Sequence, residues 1–191
     1  MERLTARAVL CSRNPGKARE LERLLAGWTV EPLGDVEFPP EDGATYYENA
    51  LGKARFGREA ADWDAWTIGE DSGIEVNGLD GGPGLRSARF GGDDPVGRLL
   101  EALAGVRGDG RRARYVSELV ALAADGREVR GTGVLAGRIA DEPRGSEGFG
   151  YDPIFVPDGE KRTVAELGNE WKARNSHRAR AARALLAALG G

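Results

Sequence analysis

The chain has 191 residues, 40% hydrophobic and 30% charged, enough to bury a core in one large domain or two tightly joined lobes. No apolar run approaches the roughly 20 residues that cross a bilayer, and a net charge of −4 argues against a general electrostatic grip on nucleic acid. A single cysteine, Cys11, and a single histidine, His177, exclude an internal disulfide, a thiolate metal cluster and a site of several imidazoles, so any metal has to be held by oxygen.

The charged opening Met1-Glu2-Arg3 and the short apolar run Ala8 to Cys11 lack the apolar region of a secretion signal, and the expected location is the cytoplasm. Ala8-Val9-Leu10-Cys11 reads as a short buried strand, followed by the turn Asn14-Pro15-Gly16 and a helix with Leu21, Leu24 and Leu25 on one face. A second helix is predicted from near Thr45 to about Ala61, with Tyr47, Ala50, Leu51 and Ala54 inward. Trp66-Thr67-Ile68 leads a strand into Glu70-Asp71-Ser72-Gly73. From there to Gly92 the glycine density argues against a regular element and for an active-site loop. Pro95 to about Leu103 restores a helical pattern. Asp125-Gly126 is a two-residue hairpin signal between Arg114 to Ala123 and Arg127 to Ile139, which predicts an antiparallel pair. Ile154-Phe155-Val156 reads as a short strand, and Ala182, Leu185, Leu186 and Leu189 fall at helical spacing behind Ser176. With no internal repeat and no linker, the expectation is a single domain over residues 1–191, α/β or α+β, with a mixed sheet.

Several segments carry residues suited to chemistry, and each also has an ordinary structural use. Ser12-Arg13-Asn14-Pro15-Gly16-Lys17 lies where a strand hands over to a helix, so free N–H groups and the positive helix end suit phosphate, with Lys17 adding charge. Helix capping by Asn14 with Pro15 in the first turn explains the same residues. Thr45 and Glu48 have capping-box spacing, yet Asn49, Lys53 and Phe56 follow along one helix side. The neighbours Glu70 and Asp71 repel unless a cation, solvent or hydrogen bonds compensate, and magnesium favours such oxygen donors. In a regular strand they point to opposite faces, so one shared site requires a backbone turn at Ser72-Gly73. Gly148-Phe149-Gly150-Tyr151-Asp152 sets two aromatics among glycines, as base-stacking rings or as core plugs. Ser176-His177-Arg178 opens the last helix, with Ser176 as a cap or with His177 and Arg178 as donors to a keto oxygen.

Together these segments resemble the inosine triphosphate pyrophosphatase family of non-canonical purine nucleotide pyrophosphatases, from about Val9 to Leu189. The matching stretches run in order: Ser12 to Lys17 with Glu20, Tyr47-Glu48-Asn49-Ala50 through Lys53-Ala54, Glu70 to Gly73 continuing to Ser87-Ala88-Arg89-Phe90, Gly148 to Phe155, and Lys172 with Ser176-His177-Arg178. Glu70 stands where the family often has Asp, Ser12-Arg13 replaces a common Thr-Gly, and the Leu85-Arg86 step differs from the usual hydrophobic-Tyr.

The resemblance implies an elongated, two-lobed α/β fold with a central mixed sheet flanked by helices, a deep cleft and a homodimer. It implies that Ser12, Arg13, Asn14, Pro15, Gly16 and Lys17 hold phosphates, and that Glu48, Glu70 and Asp71 hold Mg2+. Asp71 would be the proton acceptor and Ser72 would touch the nucleotide. Lys53 and Lys172 would meet phosphates or the base edge, Phe149, Gly150, Tyr151 and Asp152 the base and ribose, and His177 and Arg178 the keto group at position six. The implied reaction is Mg-assisted water attack at the α-phosphate of ITP, dITP or XTP, giving the monophosphate and pyrophosphate and clearing the nucleotide pool before incorporation into DNA or RNA. Donors aimed at the keto oxygen would reject adenine, which has an amino group there. A Maf-like pyrophosphatase is the competing enzyme, disfavoured by His177-Arg178. A non-catalytic nucleotide sensor is disfavoured by the retained carboxylates, and nucleic-acid and membrane partners are not expected.

Overall fold

The structure is a computed structural model that describes residues 6–12, 15–60 and 64–190. Strand β1 (Ala6–Leu10) is followed by helix α1 (Pro15–Leu24), β2 (Trp28–Pro32), α2 (Tyr46–Ala60), β3 (Trp66–Val76) and α3 (Pro95–Ala102). Then come β4 (Arg112–Leu122), β5 (Glu128–Ile139), β6 (Phe155–Pro157), α4 (Val164–Asn175) and α5 (His177–Leu189). The strands form one six-stranded sheet in the order β2-β1-β3-β4-β5-β6. β1 runs parallel to both β2 and β3, whereas β5 and β6 are antiparallel, so the sheet is mixed as expected. Residues 123–127 connect β4 to β5, too short for the crossover that a parallel pair needs, and the two form a hairpin.

The described residues fall into two compact units, 1–71 with 117–133 and 178–191, and 72–116 with 134–177. The first has a core of Leu10, Leu21, Leu25, Ile68, Leu119 and Leu185, drawn from β1, α1, β3, β4 and α5. Ala18, Leu21 and Leu25 recur at helical spacing, which is why α1 buries that stripe. A smaller cluster seats Ala50, Leu51 and Ala54 of α2 on Val120 and Leu122 of β4. Leu119 and Ala121 belong to the first cluster and Val120 and Leu122 to the second, so strand alternation separates the α1/α5 face of the sheet from the α2 face. The second unit has its own core, with Ile74, Leu99, Leu103, Ile139, Ile154 and Phe155 fully buried.

The sequence expectations fail at four places, each for a local reason. β3 runs past Gly73 to Val76 as an 11-residue strand, where the glycine density argues for an irregular loop, because Ile74 and Val76 alternate into the second core. β2 was not anticipated, since only Val30 of its residues is buried and Pro32 ends it. α4 was also missed: Gly168 breaks its helical path at φ 86°, ψ 173°, so no continuous apolar stripe marks it, although Thr163 and Glu166 form a reciprocal capping box. In the β4–β5 turn Ala123 and Arg127 pair, Gly126 N–H returns to Ala123, and Gly126 at φ 87° closes a three-residue loop rather than the two-residue turn. Among the described residues no helix is long and apolar enough to cross a membrane.

One glycine sets the depth at which α2 sits. A Cβ built on Gly69 would collide with the Ala50 carbonyl oxygen, so α2 lies directly against the β3 backbone. Gly52, exposed on the same helix, has nothing within 4 Å of a built Cβ. Gly69→Ala is expected to lower the unfolding free energy by about 3 kcal/mol through overpacking, whereas Gly52→Ala raises it by about 1 kcal/mol. Denaturant midpoints at equal m-value measure both, and equal effects would contradict the close approach.

Candidate active site

Because β3 stays extended, its adjacent carboxylates face opposite sides of the sheet. Glu70 shares parity with Ile68 and turns to the α1/α5 side. Asp71 shares parity with Thr67 and Gly69, which meet α2: the Thr67 hydroxyl donates to the Ala54 carbonyl at 2.9 Å. Each carboxylate is compensated by a different pair of side chains within the same unit.

Glu70 is 3% exposed. Its Oε1 accepts from Arg178 Nε at 3.0 Å and Nη2 at 2.8 Å, and its Oε2 lies 2.7 Å from Lys17 Nζ. The third guanidinium nitrogen, Arg178 Nη1, donates to Glu20 at 2.8 Å. Burial alone would raise the Glu70 pKa, but the charges of Arg178 and Lys17 overcome it and hold the group well below the usual carboxylate range. Arg178 is itself fully buried, and burial works against its charge, but Glu70 and Glu20 raise its pKa further.

Asp71 has different surroundings. Its Oδ2 accepts from Asn49 Nδ2 at 3.0 Å, and Lys53 Nζ lies 3.3 Å from Oδ1 while donating to the Glu70 carbonyl at 3.0 Å. Asn49 Oδ1 takes the Gly43 N–H at 2.8 Å, which fixes the amide with its NH2 toward Asp71. Asn49 and Lys53 stand one helical turn apart, so a single face of α2 supplies both donors. Glu41 closes on Lys53 at 2.7 Å. Burial pushes the Asp71 carboxyl above its ordinary value; Lys53 and Asn49 restrain the shift and Glu41 adds to it. Burial disfavours the Lys53 cation, yet Asp71 and Glu41 leave its pKa raised.

Glu48 is exposed at the start of α2, where its backbone N–H donates to Thr45 Oγ1 at 3.1 Å and its carboxylate takes the Ala44 N–H at 2.6 Å. That turn is anchored through Tyr47, whose hydroxyl donates to Glu128 at 2.7 Å and whose ring lies 4.5 Å under the Arg130 guanidinium. Tyr46, not Tyr47, is the more buried of the two, a small rotation from the expected inner face. Ser12, just after β1, and Gly16, in the first turn of α1, are half-buried. Pro15 is described only as the first residue of α1, and Arg13 and Asn14 lie outside the described residues.

The second unit holds the other expected residues. Asp152 is buried, its Oδ2 accepting from Lys172 Nζ at 2.6 Å and from the Phe149 N–H at 2.9 Å. Lys172 Nζ stands 3.6 Å from the Phe149 ring centroid, and that ring remains 59% exposed. The two aromatics of this segment therefore divide their roles: Tyr151 is buried with its hydroxyl on the Ser87 carbonyl at 2.9 Å, and burial pushes its pKa up to about 12. Gly150, between them, is exposed at φ 60°. The His177 ring stacks on Tyr115, centroids 4.6 Å apart and planes within 6°. Ser72 is half-buried on β3.

Sequence reasoning passed over Glu41, which sits in a loop without pattern, and Tyr115, whose strand signal says nothing of a histidine partner. Glu20 stands out in the sequence only as a motif neighbour, whereas Asn49 and Lys53 already read as a polar pair on one side of a helix. The i, i+4 spacing of Asn49 and Lys53 was the available signal for a shared target.

The donor chemistry bears on a metal. Cys11 is buried with its pKa raised to about 12 by burial, which makes it a poor ligand. Among the described residues no group of three His, Cys, Asp or Glu side chains gathers as a ligand set. The carboxylates of Asp71 and Glu48 are hard oxygen donors, the ligand type that magnesium takes.

The sequence pattern of the Ham1 family matches residues 8–188. The chain belongs to the Ham1 family. It is 46% identical over 184 residues to a dITP/XTP pyrophosphatase of Deinococcus deserti, covering 94% of this chain and 88% of that one. The corresponding protein of Thermus thermophilus, named likewise, is 45% identical with 95% and 91% covered. Among solved structures, a HAM1 protein from Coxiella burnetii superposes with a TM-score of 0.86 at 32% identity, covering 97% of this chain and 98% of its own. A nucleoside-triphosphatase / dITP/XTP pyrophosphatase from Mycobacterium abscessus gives 0.76 at 41% identity, with 94% and 98% covered. This Ham1 chain thus has the family's mixed sheet with flanking helices.

The Glu70 environment generates a pH prediction. A carboxylate whose folded pKa is depressed contributes stability that is present above its ordinary value, 4.5, and is lost as pH falls through the folded pKa. Glu70→Gln, which strips a buried pair of one partner, is expected to cost about 3–5 kcal/mol at neutral pH. Denaturant titrations at a series of pH values should show that cost shrinking below pH 4.5. A cost that stays constant down to pH ~3 would contradict the ion-pair account.

Proposed function

We propose that the protein hydrolyses non-canonical purine nucleoside triphosphates, ITP, dITP and XTP, to the monophosphate and pyrophosphate. The observation that carries this reading is Asp71: a buried carboxylate with a raised pKa, held by Asn49 and Lys53, in a chain whose relatives are named dITP/XTP pyrophosphatases. A carboxylate with a raised pKa accepts a proton more readily than an ordinary one.

In the proposed reaction a water oxygen bonds to the α-phosphorus, the bond from that phosphorus to the bridging oxygen breaks, and pyrophosphate leaves. Asp71 takes the water's proton. Lys17 and Lys53 bring cationic charge to the phosphates, the helix start at Gly16 offers backbone N–H groups, and Arg13 and Asn14 belong to the same segment. Asp71 and Glu48 are the carboxylates proposed to hold Mg2+, Glu70 being engaged by two cations. Bound there, the ion would neutralise phosphate charge and lower the barrier to attack. The exposed Phe149 ring is proposed as the stacking surface for the base, with Asp152, Lys172 and His177 supplying polar groups to base and ribose. The family resemblance is what supports a homodimer.

Product analysis tests the reading. Purified protein with Mg2+ is incubated with ITP, XTP, ATP and GTP. Pyrophosphate is expected from the first two with little from the others. Orthophosphate instead would place the attack at the terminal phosphate and sink the mechanism. Phe149→Ala should raise KM for ITP by about tenfold or more, the loss of a stacking contact worth roughly 1–3 kcal/mol. An unchanged KM would remove Phe149 from base binding.

A further inference from the structure

His177 is among the groups proposed to meet the base. An imidazole donates in the plane of its ring, so the orientation of that plane decides which acceptor it reaches. One neighbour fixes the plane here. The ring of Tyr115, on β4, lies face to face with the imidazole, centroids 4.6 Å apart and planes within 6°. Both residues are buried. Tyr115 is held in turn by Phe155, fully buried, whose ring packs against the phenol at 4.7 Å and a 54° tilt. A Cβ built on Gly137 of β5 would collide with the Phe155 ring, so the bare backbone at that position gives Phe155 its place. Burial, and after it the charge of the Asp152 carboxylate, raise the Tyr115 pKa well above its ordinary value, and the phenol stays neutral. Asp152 has other donors in Lys172 Nζ and the Phe149 N–H. All of these residues belong to the second unit.

We infer that Tyr115 is a positioning residue for base selection: its ring face sets the plane of the His177 imidazole, and with it the direction in which that ring donates to the keto oxygen of the base. The inference rests on the proposed function in taking the base to lie at His177. A phenyl ring serves the same purpose, because the stack uses the face of Tyr115 and not its hydroxyl. An aliphatic side chain fills the space but offers no flat surface to hold the imidazole.

Tyr115→Leu is expected to lower the ratio of kcat/KM for ITP over ATP by about tenfold, the loss of one well-aimed hydrogen bond. Calorimetric binding of inorganic tripolyphosphate, which has no base, should stay unchanged, and Tyr115→Phe should restore the original ratio. In a His177→Ala background Tyr115→Leu should lower the ratio no further, because the ring it orients is gone. His177 is the chain's single histidine, so its ring-proton NMR signals are unambiguous. They should lie upfield in the ring current of Tyr115, remain there in Tyr115→Phe, and move toward free-histidine positions in Tyr115→Leu. Tyr115→Met, closer in length to the original side chain, gives the same readings if Tyr115→Leu does not fold. An unchanged ratio in the folded aliphatic variant, an equal loss in Tyr115→Phe, a matching loss of tripolyphosphate affinity, or a further loss in the His177→Ala background would each overturn the inference. So would an unchanged ratio in His177→Ala itself, since the base would then be read elsewhere. Failure to release pyrophosphate from ITP would count against the proposed function instead, and the affinities of the same variants for inosine and adenosine monophosphates would then decide the role of Tyr115.

Discussion

Everything in the candidate site follows from two carboxylates placed side by side in a strand that does not bend. Had the backbone turned after Asp71, both groups could have faced one ligand. Since it continues to Val76, each must be compensated on its own face of the sheet, and the helices on the two faces supply different partners. α1 and α5 deliver Lys17 and Arg178 to Glu70; α2 delivers Asn49 and Lys53 to Asp71. The bare backbone at Gly69 lets α2 come close enough to do so.

That division produces opposite electrostatics from the same residue class. Both carboxyls are buried, and burial raises the pKa of each. On Glu70 two close cations outweigh it, and its pKa falls well below the ordinary value. On Asp71 a neutral amide and a longer contact to Lys53 do not, and the neighbouring Glu41 adds to the rise, so its pKa stays above the ordinary value. Pairs of groups pushed apart in this way are the usual mark of divided roles in a reaction.

Much of this was legible in the sequence. The apolar periodicities of α1, α3 and α5 and the β-rich run around Asp125-Gly126 were sufficient because each buries a regular stripe. β2 and α4 were not, since one has a single buried residue and the other is interrupted at Gly168. At the site, residue types and order pointed to Lys17, Lys53, Glu70 and Asp71, the family resemblance added Lys172, and alternation along a strand already held the clue that Glu70 and Asp71 diverge. What a single sequence does not encode visibly is pairing at long range. The Glu20–Arg178 contact joins the two ends of the chain, and the Tyr115–His177 stack joins a strand to a helix start.

The claim at the centre is that Asp71, and not its neighbour, accepts the proton from water. The most direct test compares turnover and nucleotide binding in Asp71→Asn, a substitution that keeps the shape and removes the base. Turnover is expected to fall by about 10²–10⁴-fold, the usual contribution of a general base, with ITP still bound. A variant that turns over ITP at near the normal rate would contradict the account.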